Sequence, residues 1–211
     1  MLLLSVIMRL KSVYCIRGDS DRPPEVSARA VPGHWEGDLI SGSNNSHIAK
    51  LIERNSRYTM LAQLDGKDTD SVVQAITREM IKLPLNLRKT LTWDRGMEMA
   101  KRASFTIATD MAVYFCDPQS PWQRGTNENT NRFLRQYFPK KTPLDQFSQD
   151  DLDKVALELN ERPRKTLGYK SPSEVISNAV ALTLEYSVAF SNMSRFSRAI
   201  ASSRYSSRIR S

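Results

Sequence analysis

Trp35-Glu-Gly-Asp-Leu-Ile40, His47-Ile-Ala-Lys-Leu-Ile52 and Arg57-Tyr-Thr-Met-Leu-Ala-Gln-Leu64 are three short runs rich in apolar residues. The first two are joined by Ser, Gly and Asn at positions 41–46, and the third closes on Asp65-Gly66. Runs of this length between turn-forming clusters predict strands, and strands joined so tightly must pair antiparallel. The compact domain therefore opens with a three-stranded meander. The period then changes: Val72, Val73, Ile76, Met80 and Leu83 recur at helical spacing behind the capping candidates Asp68 and Thr69. This predicts a helix of about four turns, ended by Pro84. Lys89-Thr-Leu-Thr-Trp93 returns to a strand, and Asp94-Arg-Gly96 turns sharply out of it. Met111-Ala-Val-Tyr-Phe-Cys116 is apolar enough throughout to be a fifth strand covered on both faces.

After the fifth strand comes a loop with two prolines and a glycine, Asp117-Pro-Gln-Ser-Pro-Trp-Gln-Arg-Gly125, and then two helices. The first runs from about Thr126 to Tyr137 and stops before Pro139; the second buries Leu152, Val155, Ala156 and Leu159 and ends at Pro163. A helix between strands three and four is a crossover, so the whole is an α/β fold, a mixed five-stranded sheet with helices on its faces. Pro23-Pro24 closes a polar stretch that separates residues 1–24, a linker, from a core at 25–185; residues 186–211 form a disordered or weakly helical tail.

Composition narrows the function. The 211 residues are 40% hydrophobic and 26% charged, enough for one buried core. No apolar run approaches the roughly 18 residues of a membrane span, and the N-terminal Met-Leu-Leu-Leu lacks the charged leader and cleavage site of a secreted chain. Cys15 and Cys116 have no partner spacing for a zinc site or a disulfide framework, which fits a reducing cytoplasm. The tail's five arginines, unaccompanied by acids, account for more than half of the formal charge of +8 and leave +3 on residues 1–185. A basic arm on phosphates is one reading of the tail and a solvated extension the other.

The acidic residues are candidates by position. Asp38 lies inside an apolar strand, Asp94 where the fourth strand gives way to a turn, and Glu128 at the opening of a helix. If strands one and four are neighbours, the carboxylates of Asp38 and Asp94 can converge, with Glu128 delivered from the helix beside them. Three carboxylates gathered without a paired Lys or Arg repel one another and are held together by cations such as Mg²⁺ or Mn²⁺. Asp94 as a turn former and Glu128 as a helix-start residue are the alternatives, and Glu36, on the strand face of Asp38, is the chief rival ligand. His34 reads as a polar edge residue, and Trp35 and Trp93 as core. No nucleophile–base pattern or Gly-rich phosphate loop occurs, which sets aside covalent and P-loop chemistry.

Four segments, Pro32-Gly-His-Trp-Glu-Gly-Asp-Leu39, Thr92-Trp-Asp-Arg-Gly-Met97, Tyr114 to Asn129 and Leu159-Asn-Glu-Arg-Pro-Arg-Lys-Thr-Leu167, closely resemble the transposases of the insertion-sequence-thirty family. The 33 residues between Asp94 and Glu128 match that family's acidic spacing, and the likeness runs from about Arg22 to Leu184. The resemblance implies a ribonuclease-H-like fold with a catalytic, metal-binding triad at Asp38, Asp94 and Glu128. Asp38 would bridge two Mg²⁺ or Mn²⁺ ions, and Asp94 and Glu128 would each hold one. It implies cleavage at the ends of a mobile element and transfer of the freed 3′-hydroxyl into target DNA, by a homo-oligomer on DNA in a bacterial cytoplasm, associated with the nucleoid. Arg124, Asn131, Arg132, Arg135, Arg162, Arg164, Lys165 and Lys170 would contact DNA.

Two departures stand beside the match. About twenty residues precede Arg22, where family members carry a helix-turn-helix region, so an N-terminally truncated chain is expected; and Arg102 stands where the family often has His. The alternative function is an inactive remnant that binds DNA nonspecifically or inhibits the full-length transposase. A nuclease of the same fold that cuts without joining is a further rival.

Overall fold

The computed structural model describes residues 31–93, 102–116 and 125–182, with side chains for all of these except 102 and 125–129. Asp94, Trp122, Arg124, the linker at 1–24 and the tail at 186–211 lie outside the described residues, as does the side chain of Glu128. The chain divides into two compact units after Ile176; of the second, residues 177–182 are described and are helical. Everything below concerns the first.

The expected meander is present. β1 (His34–Ser41), β2 (His47–Glu53) and β3 (Thr59–Gln63) pair antiparallel in sequence. Asn44 and Asn45 both take positive φ, 54° and 53°, and the Ser46 amide donates to Ser43 O at 3.0 Å. Asn tolerates this left-handed backbone, which the favoured hairpin turn demands at both central residues. The register beyond the turn is offset by one residue: Ser41 faces His47, while the Ser43 amide bonds Thr142 O instead of β2. Ser43 is thus the extra residue of a bulge.

α1 (Thr69–Met80) follows, capped by the Asp68 side chain, which accepts from the Ser71 amide. It ends three residues before the expected Leu83, because proline restricts the residue before it and pulls the chain out of the helix. A 3₁₀ turn at Leu85–Leu87 leads into β4 (Thr90–Trp93), and α2 (Arg102–Thr109) into β5 (Ala112–Phe115). β4 pairs parallel with both β1 and β5, so the five-stranded order is β3-β2-β1-β4-β5. This is the mixed five-stranded α/β sheet expected, an antiparallel β3-β2-β1 meander continued by parallel β4 and β5 as in a ribonuclease-H-like fold. α3 (Gly125–Tyr137) and α4 (Gln149–Glu161) follow, then a 3₁₀ turn at Lys165–Leu167 and a further helix that begins at residue 172; Ser148 and Asp151 form a reciprocal capping box at the start of α4.

Alternation along β1 sends Trp35, Gly37 and Leu39 to one side and Glu36, Asp38 and Ile40 to the other. On the second side Ile40, Ile48 and Leu61 pack under Leu134 and Phe138 of α3 and Leu152, Ala156 and Leu159 of α4. On the first side α1 packs against β2 and β3. Trp35 and Trp93 are core residues as expected, and Trp35 Nε1 donates to Leu87 O at 2.8 Å. His34 corrects its expectation. It sits on the middle strand, not an edge, and is buried with Nδ1 2.8 Å from Thr90 Oγ1. Among the described residues no helix is long and apolar enough to cross a membrane.

β3 is an edge strand, and side-chain amides take up four of its outward main-chain groups. Asn160 accepts from the Thr59 amide and donates to Thr59 O, both at 2.8 Å; Gln149 accepts from the Gln63 amide at 2.9 Å and donates to Leu61 O at 2.8 Å. Asn160 is buried, so Asn160→Ala strands two polar groups that nothing else replaces. The expected loss is about 2 kcal/mol, seen as a lower urea midpoint at unchanged slope.

Candidate functional site

The site is built around the end of β1. Asp38 keeps a quarter of its side chain exposed, and its Oδ1 accepts from the Leu39 amide at 2.9 Å. Glu36, two residues back on the same face, is 1% exposed and ion-paired with the buried Arg54, Nε to Oε1 at 3.4 Å. Asp38 is therefore the open carboxylate of the strand and Glu36 the closed one.

One feature contradicts the expectation of acids gathered without a cation. Lys50 of β2 stands directly across from Asp38 in the pairing register, and its Nζ lies 3.4 Å from Asp38 Oδ2. The Lys50 side chain has no solvent exposure. Nζ also donates to Asn131 Oδ1 at 2.5 Å, tying β2 to α3. Burial pushes the Lys50 ammonium below the usual lysine range, while the attraction of Asp38 pulls the other way. The single Lys in the apolar run His47-Ile-Ala-Lys-Leu-Ile52 was the visible signal. Its partner was not visible, because a simple two-residue hairpin at Asn44-Asn45 would set Lys50 against Leu39; the bulge at Ser43 turns it to the face of Asp38.

The other two acids are located only through their elements. β4 ends at Trp93, the residue before Asp94, and runs parallel beside β1, with Thr92 in register with Glu36. Glu128 belongs to α3, one turn before Asn131. Among the described residues no group of three or more His, Cys, Asp or Glu could hold a metal ion. As a donor set, three carboxylates offer the hard oxygens that suit Mg²⁺ or Mn²⁺.

Comparison with known proteins decides the family. An integrase core domain matches residues 28–121. The chain is 60% identical over 163 residues to transposase InsI for insertion sequence element IS30A of Escherichia coli (strain K12), covering 77% of this chain and 43% of that one. It is 51% identical over 161 residues to the transposase for insertion sequence element IS1086 of Cupriavidus metallidurans, covering 76% and 48%. These matches support an insertion-sequence-thirty transposase catalytic region over most of the chain.

It spans less than half the length of these two relatives and about half that of the transposase for insertion sequence element IS4351 of Bacteroides fragilis, to which it is 34% identical over 180 residues. The basic residues that the family likeness nominated fall into two groups. Several are engaged within the fold. Arg135 donates to Phe138 O and to Ser41 O, both at 3.3 Å, clasping the end of α3 to the end of β1. Arg162 donates to Tyr137 Oη at 2.8 Å and to Gln136 Oε1 at 3.2 Å. Arg164 lies 4.4 Å over the Phe133 ring and donates to Leu159 O at 3.1 Å. Asn131 accepts from Lys50. Arg132, Lys165 and Lys170 are exposed.

Proposed function

We propose that this chain is the catalytic core of a DNA transposase, which cleaves the ends of an insertion sequence and joins the freed 3′-hydroxyl to target DNA in a reaction that requires divalent metal. Asp38, Asp94 and Glu128 are the catalytic acids, and they would hold two Mg²⁺ or Mn²⁺ ions. The observation that carries this reading is the open carboxylate of Asp38 on the middle strand, with β4 leading to Asp94 on one side and α3, which contains Glu128, over the same face. Bound metal would supply activation of the attacking oxygen and stabilisation of the leaving oxygen at the phosphate.

The chain's own residues divide the remaining work. Glu36, buried against Arg54, keeps the strand's second acid out of the ligand set. Arg135 fixes α3 to the mouth of β1 and so holds the helix of Glu128 in place. The exposed Arg132, Lys165 and Lys170, with Arg124, meet DNA phosphates, while Arg162 and Arg164 brace the surface from within. The partners are element ends and target DNA, with two or more copies acting together on them.

A strand-transfer assay with pre-cleaved element ends and Mn²⁺ tests the proposal. Joined products are expected. Nicking without joining would assign a nuclease, and neither product would leave the non-catalytic remnant as the reading. The slope of duplex affinity against salt reports how many of the exposed cations take part.

A further inference from the structure

Lys50 is a charge placed where a metal-binding acid would be expected to face water or an ion. Its Nζ is wholly buried, 3.4 Å from Asp38 Oδ2 on one side and bonded to Asn131 Oδ1 on the other. The position is fixed from three directions: the β1–β2 register sets Lys50 opposite Asp38, the Ser43 bulge sets that register, and α3 supplies Asn131. A side chain held this way is not a wandering surface lysine. It is an ammonium group already installed beside the carboxylate that metal must use.

We propose that Lys50 is a tethered competitor of the divalent ion for Asp38, so that metal enters this site only by displacing the ammonium from the carboxylate. This deepens the functional reading above and rests on it. A cation fixed at this distance in a dry setting repels an arriving divalent ion and withholds the oxygen that would bind it. The same contact gives the metal-free chain a cation for Asp38 and a strut from β2 to the helix carrying Glu128. The consequence is a centre of low metal affinity, filled when a nucleic-acid phosphate adds its own oxygens and negative charge to the site.

The test is a Mn²⁺ titration of the full chain without DNA, read by the loss of the free-ion signal in electron paramagnetic resonance. Lys50→Gln keeps a donor for Asn131 and removes the charge; Lys50→Arg keeps the charge. The Gln variant is expected to bind Mn²⁺ about tenfold more tightly than the natural chain, with the Arg variant unchanged. Lys50→Met, with the same readout, serves if the Gln variant does not fold as judged by circular dichroism. Adding Asp38→Asn to the tight-binding variant should abolish the gain. Equal or weaker binding by the neutral variants, still dependent on Asp38, overturns the competitor role and leaves the metal reading standing. Binding indifferent to Asp38, or absent from every variant, overturns both.

Discussion

Asp94→Asn is expected to lower Mn²⁺-dependent cleavage and joining by about three orders of magnitude, with duplex affinity and thermal stability nearly unchanged. The size follows from the charge lost: metal-centred stabilisation of a phosphoryl transition state is worth several kcal/mol, and roughly 4 kcal/mol is a factor of about a thousand. The substitution keeps the side chain's shape and takes away one negative charge. It is a cleaner probe than Asp38→Asn, because the Asp38 carboxylate also pairs with the buried Lys50 ammonium, so neutralising it perturbs a buried ion pair as well as the metal site. Single-turnover assays on pre-nicked ends, run beside a melting curve and a filter-binding isotherm, separate the two effects. Activity equal to that of the natural chain would remove Asp94 from the triad.

Gly37→Val should cost about 3 kcal/mol or more of folding stability, lowering the melting temperature by about 6–12 °C. A Cβ at position 37 would lie 2.2 Å from Trp93 Cζ3 and 2.3 Å from Trp93 Cε3, with Leu51 Cδ2 at 3.3 Å. The indole is 2% exposed and has no room to retreat, so β1 and β4 must part to admit the new atoms. The clash falls one residue before each acid along the sequence: Gly37 precedes Asp38 and Trp93 precedes Asp94. Trimming the indole with Trp93→Leu should recover part of the loss, giving a double-mutant cycle with coupling of about 1 kcal/mol or more. Strict additivity would mean that the clash is relieved elsewhere.

What could be read from residues alone was whatever depends on local period and punctuation. The meander, the crossover helix behind Asp68 and the two helices after the Pro-rich loop follow from apolar spacing and from where Asn, Gly and Pro fall, whereas the neighbourhood of strands one and four was a condition that the sheet order meets. What escaped was set by register. A bulge of one residue at Ser43 decides whether Lys50 shares a face with Asp38 or with Leu39, and nothing in the spacing of the apolar residues announces it. His34 was misjudged for a related reason: polarity suggested an edge, whereas the residue is in the middle strand and satisfied by Thr90. Glu36 was the chief rival of Asp38 because the two-residue alternation puts both on one face. Only the position of Arg54, brought round from beyond β2, tells them apart.

The amides of Asn160 and Gln149 also bear on how copies of this chain can meet. By imitating the peptide groups of a sixth strand along Thr59–Gln63, they occupy four of the main-chain groups that a newcomer would need to extend the ladder on that flank. An open strand edge is a template for pairing with another chain, and such pairing at high local concentration ends in precipitate. A border occupied by two side-chain amides blunts that route, so a second copy would have to meet this one over some other surface.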